Sequence, residues 1–388
     1  MLNKKKILII GPIGDFGGRE LETAYIANVL SSKYDVAACT TGNLSSKSQV
    51  FDFNKKLSVF SLKELLCQKY FGIKLLAYLS YYKNKKKGSV EAFANNKFAK
   101  KHLNYENRIK VILDQILSNY DMILIVAQLS SAYIEEIIKK SQFQNKKIIF
   151  RTTGCIQDNQ DFSFLNKVHL FLHHSENNAK RFKITKHNYK IIDQCAFNET
   201  ELLEIPTLKN KVKVFLTIAR IEKEKNIDVV IKAFLKSFNN KNQLIIVGDG
   251  TELSNLKEMS QNNNNIQFTG FVSNKKVLDF FKISDCLIIS HYDLETGPLT
   301  GVEAMASGRL ILSAKTGAMQ ERLLDYDFFF DNTLESLTEQ MNKISSLENM
   351  EVSNLSQNIR EKYENELSNK IISKKYIEAI DAVFKICE

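Results

Sequence analysis

Two carboxylates, Glu295 and Glu303, flank a segment whose residue types could bind a phosphorylated ligand. The apolar run 286–290 predicts a buried strand, and Gly297 with Pro298 predicts the start of a helix, because proline suits the first helical position. The N–H groups that a helix start leaves unpaired attract anions, phosphate above all. The segment therefore predicts a cradle for a sugar nucleotide. The alternative is a crossover helix that carries a solvated glutamate.

A glycine-rich turn near the N-terminus is a second candidate for phosphate binding. An apolar run at 7–10 is followed by four glycines within 11–18 and by a predicted helix over 19–30. Glycines in such a turn let backbone N–H groups reach a phosphate. The spacing is not G-x-G-x-x-G, and the next predicted strand, 36–40, ends without an acid, so the pattern disfavours a nicotinamide cofactor. The alternative is a tight turn that needs glycine for its geometry alone.

Apolar runs recur at the spacing of alternating strands and helices, which predicts parallel sheets and an α/β fold. The predicted strands of the first half cover 7–10, 36–40, 122–126, 147–151, 168–173 and 190–193. Those of the second half cover 212–218, 243–247, 266–272, 286–290, 310–313 and 328–330. A length of 388 residues suits two domains, each with its own core.

Composition limits the location and the partners of the protein. The formal net charge of +10 fits an anionic ligand or a negatively charged membrane surface. We expect no nucleic-acid partner, because the basic residues are not interleaved with aromatic residues at regular spacing. The six cysteines are scattered without a C-x-x-C pair, which indicates reduced thiols in a cytoplasmic protein. The first apolar run is too short for a signal peptide, and none approaches a membrane span.

Several motifs resemble those of one enzyme family. Glu295, seven intervening residues and Glu303 followed by Ala-Met-Ala-Ser-Gly resemble the E-x7-E signature of the family-4 (group 1) retaining glycosyltransferases, which have the GT-B fold. Arg220 and Lys225 match the R-x4-K motif of that family, and 248–250 matches its G-D-G. The resemblance covers nearly the whole second half, whereas the first half matches only through its glycine turn and strand order. It implies two Rossmann-like domains whose parallel sheets face each other across a cleft.

The resemblance also implies domain boundaries. Residues 1–198 are predicted as an N-terminal Rossmann-like domain on the acceptor side, and residues 211–366 as a C-terminal Rossmann-like domain that binds the nucleotide sugar. The polar stretch 199–210 is predicted as a linker. Residues 367–388 are predicted as a helix that returns to the N-terminal domain.

The roles of individual residues follow from the same resemblance. The predicted catalytic residues are Arg220 and Lys225, which hold the diphosphate, and Glu295, which holds the hydroxyls of the donor sugar. Fixed cations stabilise the charge that develops on a departing diphosphate. Glu303 is predicted to bind the ribose. The other predicted donor-binding residues are Gly17, Gly18, Gly248, Val272, Gly297, Pro298, Leu299 and Thr300.

The resemblance predicts a reaction that needs a nucleotide-sugar donor but no metal ion and no other cofactor. The expected donor is a UDP-sugar, with a GDP-sugar as the alternative. Asp325 and Asp327 satisfy the D-x-D pattern of metal-dependent transferases, but their place before a late strand predicts a turn. The family often carries a histidine near the reacting sugar, where this chain has the segment 151–154, and Arg151 is the predicted substitute.

The expected acceptor is a glycan or lipid-linked glycan in bacterial surface polysaccharide or glycolipid synthesis. An apolar stripe at helical spacing, followed by a lysine cluster at 83–87, predicts a peripheral membrane contact through residues 62–87 at the inner face of the plasma membrane. The alternative is a helix that faces the core, followed by a solvated loop. The stripe consists of Leu62, Leu65, Leu66, Tyr70, Ile73, Leu76, Ala77 and Tyr81.

Two other functions fit the same motifs. The first is a GT-B sugar-nucleotide epimerase or hydrolase, which would act on the donor without an acceptor. The second is a non-catalytic GT-B module that binds a glycan. The presence of Arg220, Lys225, Glu295 and Glu303 favours an enzyme over such a module.

Overall fold

The computed structural model describes residues 4–86, 88–156, 162–183, 187–238, 241–260, 263–291 and 296–385. The chain forms two compact units. The first unit contains Met1–His173, Ala179–Ile192 and Ser373–Glu388, and the second contains His174–Asn178 and Asp193–Ile372. The chain therefore passes between the units at four places, the last of them after Ile372.

The first unit is built on a parallel sheet. Its described strands are β1 (Lys6–Gly11), β2 (Asp35–Thr40), β3 (Ser58–Ser61), β4 (Met122–Ala127), β5 (Lys147–Thr152), β6 (Leu170–His173) and β7 (Tyr189–Ile191). The strand order is β3-β2-β1-β4-β5-β6-β7. The central strands β1 and β4 are apolar and buried almost throughout, because helices cover both faces of a parallel sheet.

Six helices lie between the strands of the first unit, and a short one that begins in the second unit follows β6. They are α1 (Gly18–Ser31), α2 (Leu62–Lys69), α3 (Phe71–Lys83), α4 (Lys97–His102), α5 (Tyr105–Ser118), α6 (Ile134–Phe143) and α7 (Glu176–Lys180) in the described residues. On α5 the buried residues recur every three or four positions, from Ile109 to Leu117, as the helical pattern predicts.

The second unit contains another parallel sheet. Its described strands are β8 (Val214–Ile218), β9 (Gln243–Val247), β10 (Ile266–Gly270), β11 (Cys286–Ile289), β12 (Leu310–Ala314) and β13 (Phe329–Phe330), in the order β10-β9-β8-β11-β12-β13. Its described helices are α8 (Glu199–Leu203), α9 (Ile227–Ser237), α10 (Leu253–Met259), α11 (Asn274–Ile283), α12 (Leu299–Ala306), α13 (Met319–Arg322), α14 (Leu334–Ser346) and α15 (Asn349–Glu366). The last helix, α16 (Asn369–Lys385), begins in this unit and ends in the first.

The segment 199–210 packs into the core of the second unit, although its polarity predicts a linker. It contains α8, and its apolar residues Leu202, Ile205 and Leu208 are buried in that core. Three apolar positions at a spacing of three are enough to bury one side of a polar segment. Strand β3 was not predicted either, because the sequence Ser-Val-Phe-Ser has too few apolar residues to stand out.

The apolar stripe that predicts a membrane contact faces the core instead. Leu62, Leu66, Ile73 and Ala77 are fully buried in the hydrophobic core of the first unit, and Leu65, Tyr70 and Leu76 pack against it. The membrane assignment of this stripe is therefore wrong, and the core-facing alternative is correct for it. The opposite side of α3 is also apolar, and it is exposed.

Candidate functional site

The second sheet has a topological switch point between β8 and β11. The chain leaves β8 toward β9 on one side and leaves β11 toward β12 on the other, while β8 and β11 are parallel neighbours. In open parallel sheets, ligands bind at the carboxyl ends of the strands where the order reverses. The loops after β8 and β11 flank this position. The loop after β8 contains the predicted R-x4-K motif, and the loop after β11 together with α12 contains the predicted E-x7-E motif.

The loop after β8 carries Arg220 and Lys225. Arg220 is exposed, whereas Lys225 is buried at the end of a short 3-10 helix. The hydroxyl of Ser290, the residue after β11, donates a hydrogen bond to the carbonyl oxygen of Lys225 at 2.7 Å. This bond fixes the loop after β8 to the end of β11. The structure thus brings the predicted cations to the switch point.

The turn after β9 lies directly against the loop after β8. Gly248 has a φ of 142°, and a Cβ at this position would lie 1.9 Å from the carbonyl oxygen of Ala219, so only glycine fits. The N–H of Gly248 also donates to the carbonyl oxygen of Gly270 at 3.0 Å. Val272 follows two residues later and is half-buried against the core. Gly248 and Val272 therefore lie at the same edge of the sheet as the two cations.

The turn between β11 and α12 supplies the first N–H groups of a helix. Glu295 lies outside the described residues, so its predicted role is not placed. Helix α12 begins at Leu299, one position later than predicted, because Pro298 has a ψ of 123° and this extended value is incompatible with a helical residue. Thr296 accepts a hydrogen bond from the N–H of Ala318 at 2.9 Å. The amides of Leu299 and Thr300 have no partner within the helix, which suits an anion.

Glu303 lies on α12 with its side chain buried. Desolvation by burial raises the pKa of its carboxyl group from 4.5 to about 8. The group is therefore mostly protonated at neutral pH. In this form it can both donate and accept a hydrogen bond.

The glycine turn of the first unit lies at the switch point of its own sheet, after β1 and beside β4. Gly17 and Gly18 are exposed at the start of α1. Two amides of the turn have side-chain partners within the chain. The N–H of Gly14 donates to the carboxylate of Glu20, and the N–H of Gly17 donates to the side-chain oxygen of Gln49, both at 2.8 Å. The carboxylate of Glu20 is thus bound to the turn, and the role predicted for Gly17 and Gly18 stays a prediction.

Arg151 does not occupy the position of a substrate-facing histidine. It is fully buried, and its Nε and Nη2 donate to one carboxylate oxygen of Glu22 at 2.9 and 2.6 Å. Its Nη1 donates to the carbonyl oxygen of Ile192 at 2.5 Å. The prediction that Arg151 substitutes for the histidine is therefore wrong, because the side chain is committed to a buried ion pair.

Asp325 and Asp327 lie in an exposed turn, as predicted. Asp325 has a φ of 65°, and the hydroxyl of Tyr326 between the two acids accepts a hydrogen bond from the N–H of Ile311. In the part of the chain that the structure describes, no group of three or more His, Cys, Asp or Glu side chains could hold a metal ion. No helix there is both long and apolar enough to cross a membrane.

Sequence reasoning did not find a buried ion pair between Asp193 and Arg322, next to the turn before α12. Arg322 donates to both carboxylate oxygens of Asp193 at 2.8 and 2.6 Å, and also to the carbonyl oxygen of Pro298 at 2.8 Å. The two partners are 129 positions apart, so no local pattern in the sequence joins them.

Comparison with known proteins gives the family context of this site. Residues 198–387 match the family model described as glycosyl transferases group 1. An alpha-monoglucosyldiacylglycerol synthase of Streptococcus pneumoniae is 33% identical over 121 residues, which are 30% of this chain and 27% of that protein. An uncharacterized glycosyltransferase of Methanocaldococcus jannaschii is 35% identical over 124 residues, which are 30% of this chain and 31% of that protein. The chain thus spans less than a third of the length of these curated relatives.

The fold has close counterparts among solved structures. HepE of Anabaena in complex with UDP superposes with a TM-score of 0.71 at 16% identity, and the match covers 97% of this chain and 100% of that one. Two Rossmann-like α/β domains with parallel sheets define a protein with the fold of the GT-B glycosyltransferases, as the motifs predict. Residues 198–387, just under half of the chain, are therefore similar to the glycosyl transferases group 1 family.

Proposed function

We propose that the chain is a retaining, metal-independent glycosyltransferase that moves a sugar from a nucleotide diphosphate donor to a glycan acceptor. The observation that carries the proposal is the convergence of Arg220, Lys225 and the turn 297–300 at one switch point. Two cations and a helix start suit a diphosphate. HepE, which shares the fold, was solved with UDP and with UDP-glucose. The proposed donor is therefore a UDP-sugar, with a GDP-sugar as the alternative.

In the proposed reaction, the bond between the anomeric carbon and the diphosphate oxygen breaks. The acceptor oxygen forms a bond to that carbon on the face that the diphosphate leaves, and its proton passes to the departing phosphate oxygen. Arg220 and Lys225 stabilise the charge on the leaving group. Glu303 binds the ribose, and Glu295 holds the sugar hydroxyls.

Replacement of the two cations tests the assignment. Arg220→Ala or Lys225→Ala should lower the turnover number by roughly 10²-fold or more, because each removes a donor to the charge of the transition state. The control is Lys223→Ala, an exposed lysine of the same loop, which should keep turnover near that of the wild type. Turnover is measured with a panel of UDP- and GDP-sugars. Wild-type turnover in the Arg220 and Lys225 variants would contradict their role.

The same assay separates the alternatives. A sugar-nucleotide hydrolase or epimerase would release nucleotide or a changed sugar at full rate from the donor alone, whereas a transferase needs the acceptor. A binding module would turn over no donor. EDTA should leave activity intact, and inhibition that Mn²⁺ reverses would refute the proposed metal independence.

The acceptor we propose is a lipid-linked glycan at the inner face of the bacterial plasma membrane, because α3 carries an exposed apolar face. Two curated relatives are named as alpha-monoglucosyldiacylglycerol synthases.

The α3 face consists of Phe71, Leu75, Tyr78, Leu79 and Tyr82. The exposed fractions of Phe71, Leu79 and Tyr82 are 76%, 59% and 60%. By the helical period, these five residues share one side of α3, and exposed lysines flank it at Lys74 and Lys83. Apolar residues bordered by lysines are the pattern of a helix that lies in an anionic membrane surface.

Vesicle binding tests this contact. Phe71→Ser combined with Leu79→Ser should weaken binding to phosphatidylglycerol-containing vesicles about tenfold or more. The reason is that two large apolar side chains are no longer transferred from water into the membrane on binding. The control is Phe143→Ser, since Phe143 is exposed on α6 and lies outside the α3 face. Binding should also weaken with salt and in pure phosphatidylcholine. Unchanged binding of the double variant, or a protein dimer that this variant dissociates, would refute the membrane contact.

A further inference from the structure

The ion pair of Asp193 and Arg322 lies directly behind the turn before α12. Both residues belong to the second unit, and both are buried. Burial acts to raise the pKa of Asp193, but the charge and hydrogen bonds of Arg322 outweigh it, so the pKa lies below its usual value. The carboxylate therefore stays ionised and holds the guanidinium through two parallel hydrogen bonds.

The guanidinium sets the direction of the peptide group between Pro298 and Leu299. Arg322 Nη1 donates to the carbonyl oxygen of Pro298 at 2.8 Å. In a trans peptide the C=O and N–H bonds point in opposite directions, so the N–H of Leu299 points away from Arg322. Gly297 is adapted to the same contact, because a Cβ there would lie 2.7 Å from Arg322 Nη2.

Glu321, which precedes Arg322 on α13, holds another segment of the second unit. The carboxylate of Glu321 accepts hydrogen bonds from the N–H groups of Glu176 and Asn177, each at 2.8 Å. These residues belong to the short segment His174–Asn178 of the second unit, and Asp193 is the residue at which the chain enters that unit again. On α13, Glu321 thus binds the segment His174–Asn178, and its neighbour Arg322 binds Asp193. At both places the chain has just left the first unit.

We propose that Asp193 and Arg322 are positioning residues that aim the amides at the start of α12 toward the donor diphosphate. This inference rests on the proposed function. Arg322 acts through the peptide group that it holds, and Asp193 acts through Arg322. The pair presents a fixed N–H donor to the ligand, while the charge of the guanidinium is neutralised behind the turn.

Ligand binding and amide exchange test the pair together. Asp193→Asn should weaken binding of UDP about tenfold or more and leave binding of uridine within about twofold, because uridine has no phosphate groups for the turn to hold. Binding is measured by calorimetry, with uridine measured by displacement of UDP. Without nucleotide, the amides of 296–301 should exchange with solvent faster in the variant. Arg322→Lys keeps the positive charge but cannot make the two parallel hydrogen bonds of the guanidinium, so it should show an intermediate loss of UDP affinity.

The matched control is Glu199→Gln, another carboxylate-to-amide change in the second unit. Glu199 accepts hydrogen bonds from the hydroxyl of Tyr363 and the N–H of Asn369, both at 2.7 Å. This variant should keep the ratio of UDP to uridine affinity and the exchange rates of 296–301. Equal losses of UDP and uridine binding in Asp193→Asn, or unchanged exchange at 296–301, would overturn the inference. A wild-type protein that binds neither UDP nor GDP overturns the proposed function, and the inference with it.

Discussion

Glu303 is a carboxyl group that the fold keeps away from water. Its pKa is raised to about 8 by burial in α12, so it is mostly neutral at pH 7. A neutral carboxyl group can donate to one hydroxyl and accept from another, which suits the two hydroxyls of a ribose. The cost of burying a charge is thereby avoided at neutral pH, and it returns when the group ionises.

The stability of the protein should depend on pH through Glu303. Between pH 4.5 and about 8 the unfolded chain loses this proton while the folded chain keeps it. The free energy of unfolding therefore falls as the pH rises through this window. Glu303→Gln, which mimics the neutral form, should raise the melting temperature relative to the wild type by about 4 °C or more at pH 9, but not at pH 5. An equal difference at both values would show that Glu303 is not buried as a neutral group.

Short motifs in the sequence pointed to some residues of the candidate site, whereas other residues there are joined only by long-range contacts. Arg220, Lys225 and Gly248 could be found because each lies at a fixed spacing within one loop. Asp193 and Arg322 could not be found in this way, because an ion pair between residues 129 positions apart produces no local spacing pattern in the sequence. The protonation of Glu303 was also hidden, since it depends on what packs around α12 and not on its neighbours in sequence.

Helix α3 shows how far periodicity can predict an element. The helical spacing correctly predicted a helix, and it correctly grouped Ile73 with Ala77 on one side. It could not predict which side faces the core, because α3 is apolar on two sides and the choice depends on α2 and α4, which pack beside it. The same limit applies to 199–210, whose apolar residues are too few to distinguish a packed segment from a linker. Most strands were predicted because buried parallel strands are continuous apolar runs.

Residues far apart in the chain hold the first unit together around Arg151. Glu22 on α1 pairs with Arg151 on β5, and the ring of Tyr376 on α16 lies 5.8 Å from the guanidinium carbon. Lys33 also pairs with Asp381 of α16 at 2.6 Å. Helix α16 is therefore bound to β5 through Tyr376 and to the turn after α1 through Asp381.

Loss of one partner of the buried pair should destabilise the first unit. Glu22→Gln leaves the charge of Arg151 buried with a weaker partner, so the free energy of unfolding should fall by about 3 kcal/mol or more. The control is Glu135→Gln, because the pair of Glu135 and Lys139 is exposed and should be worth less than about 1 kcal/mol. Urea unfolding measures both changes. A loss in Glu22→Gln as small as that of the control would contradict a structural role for the pair.

The way the chain passes between the units limits how the protein can be divided. A fragment with residues 193–372 alone would lack His174–Asn178, whose amides bind Glu321, and would end within α16. Chimeras that exchange the second unit between relatives therefore need to transplant both of its segments, and they must keep α16 in the version that matches the first unit.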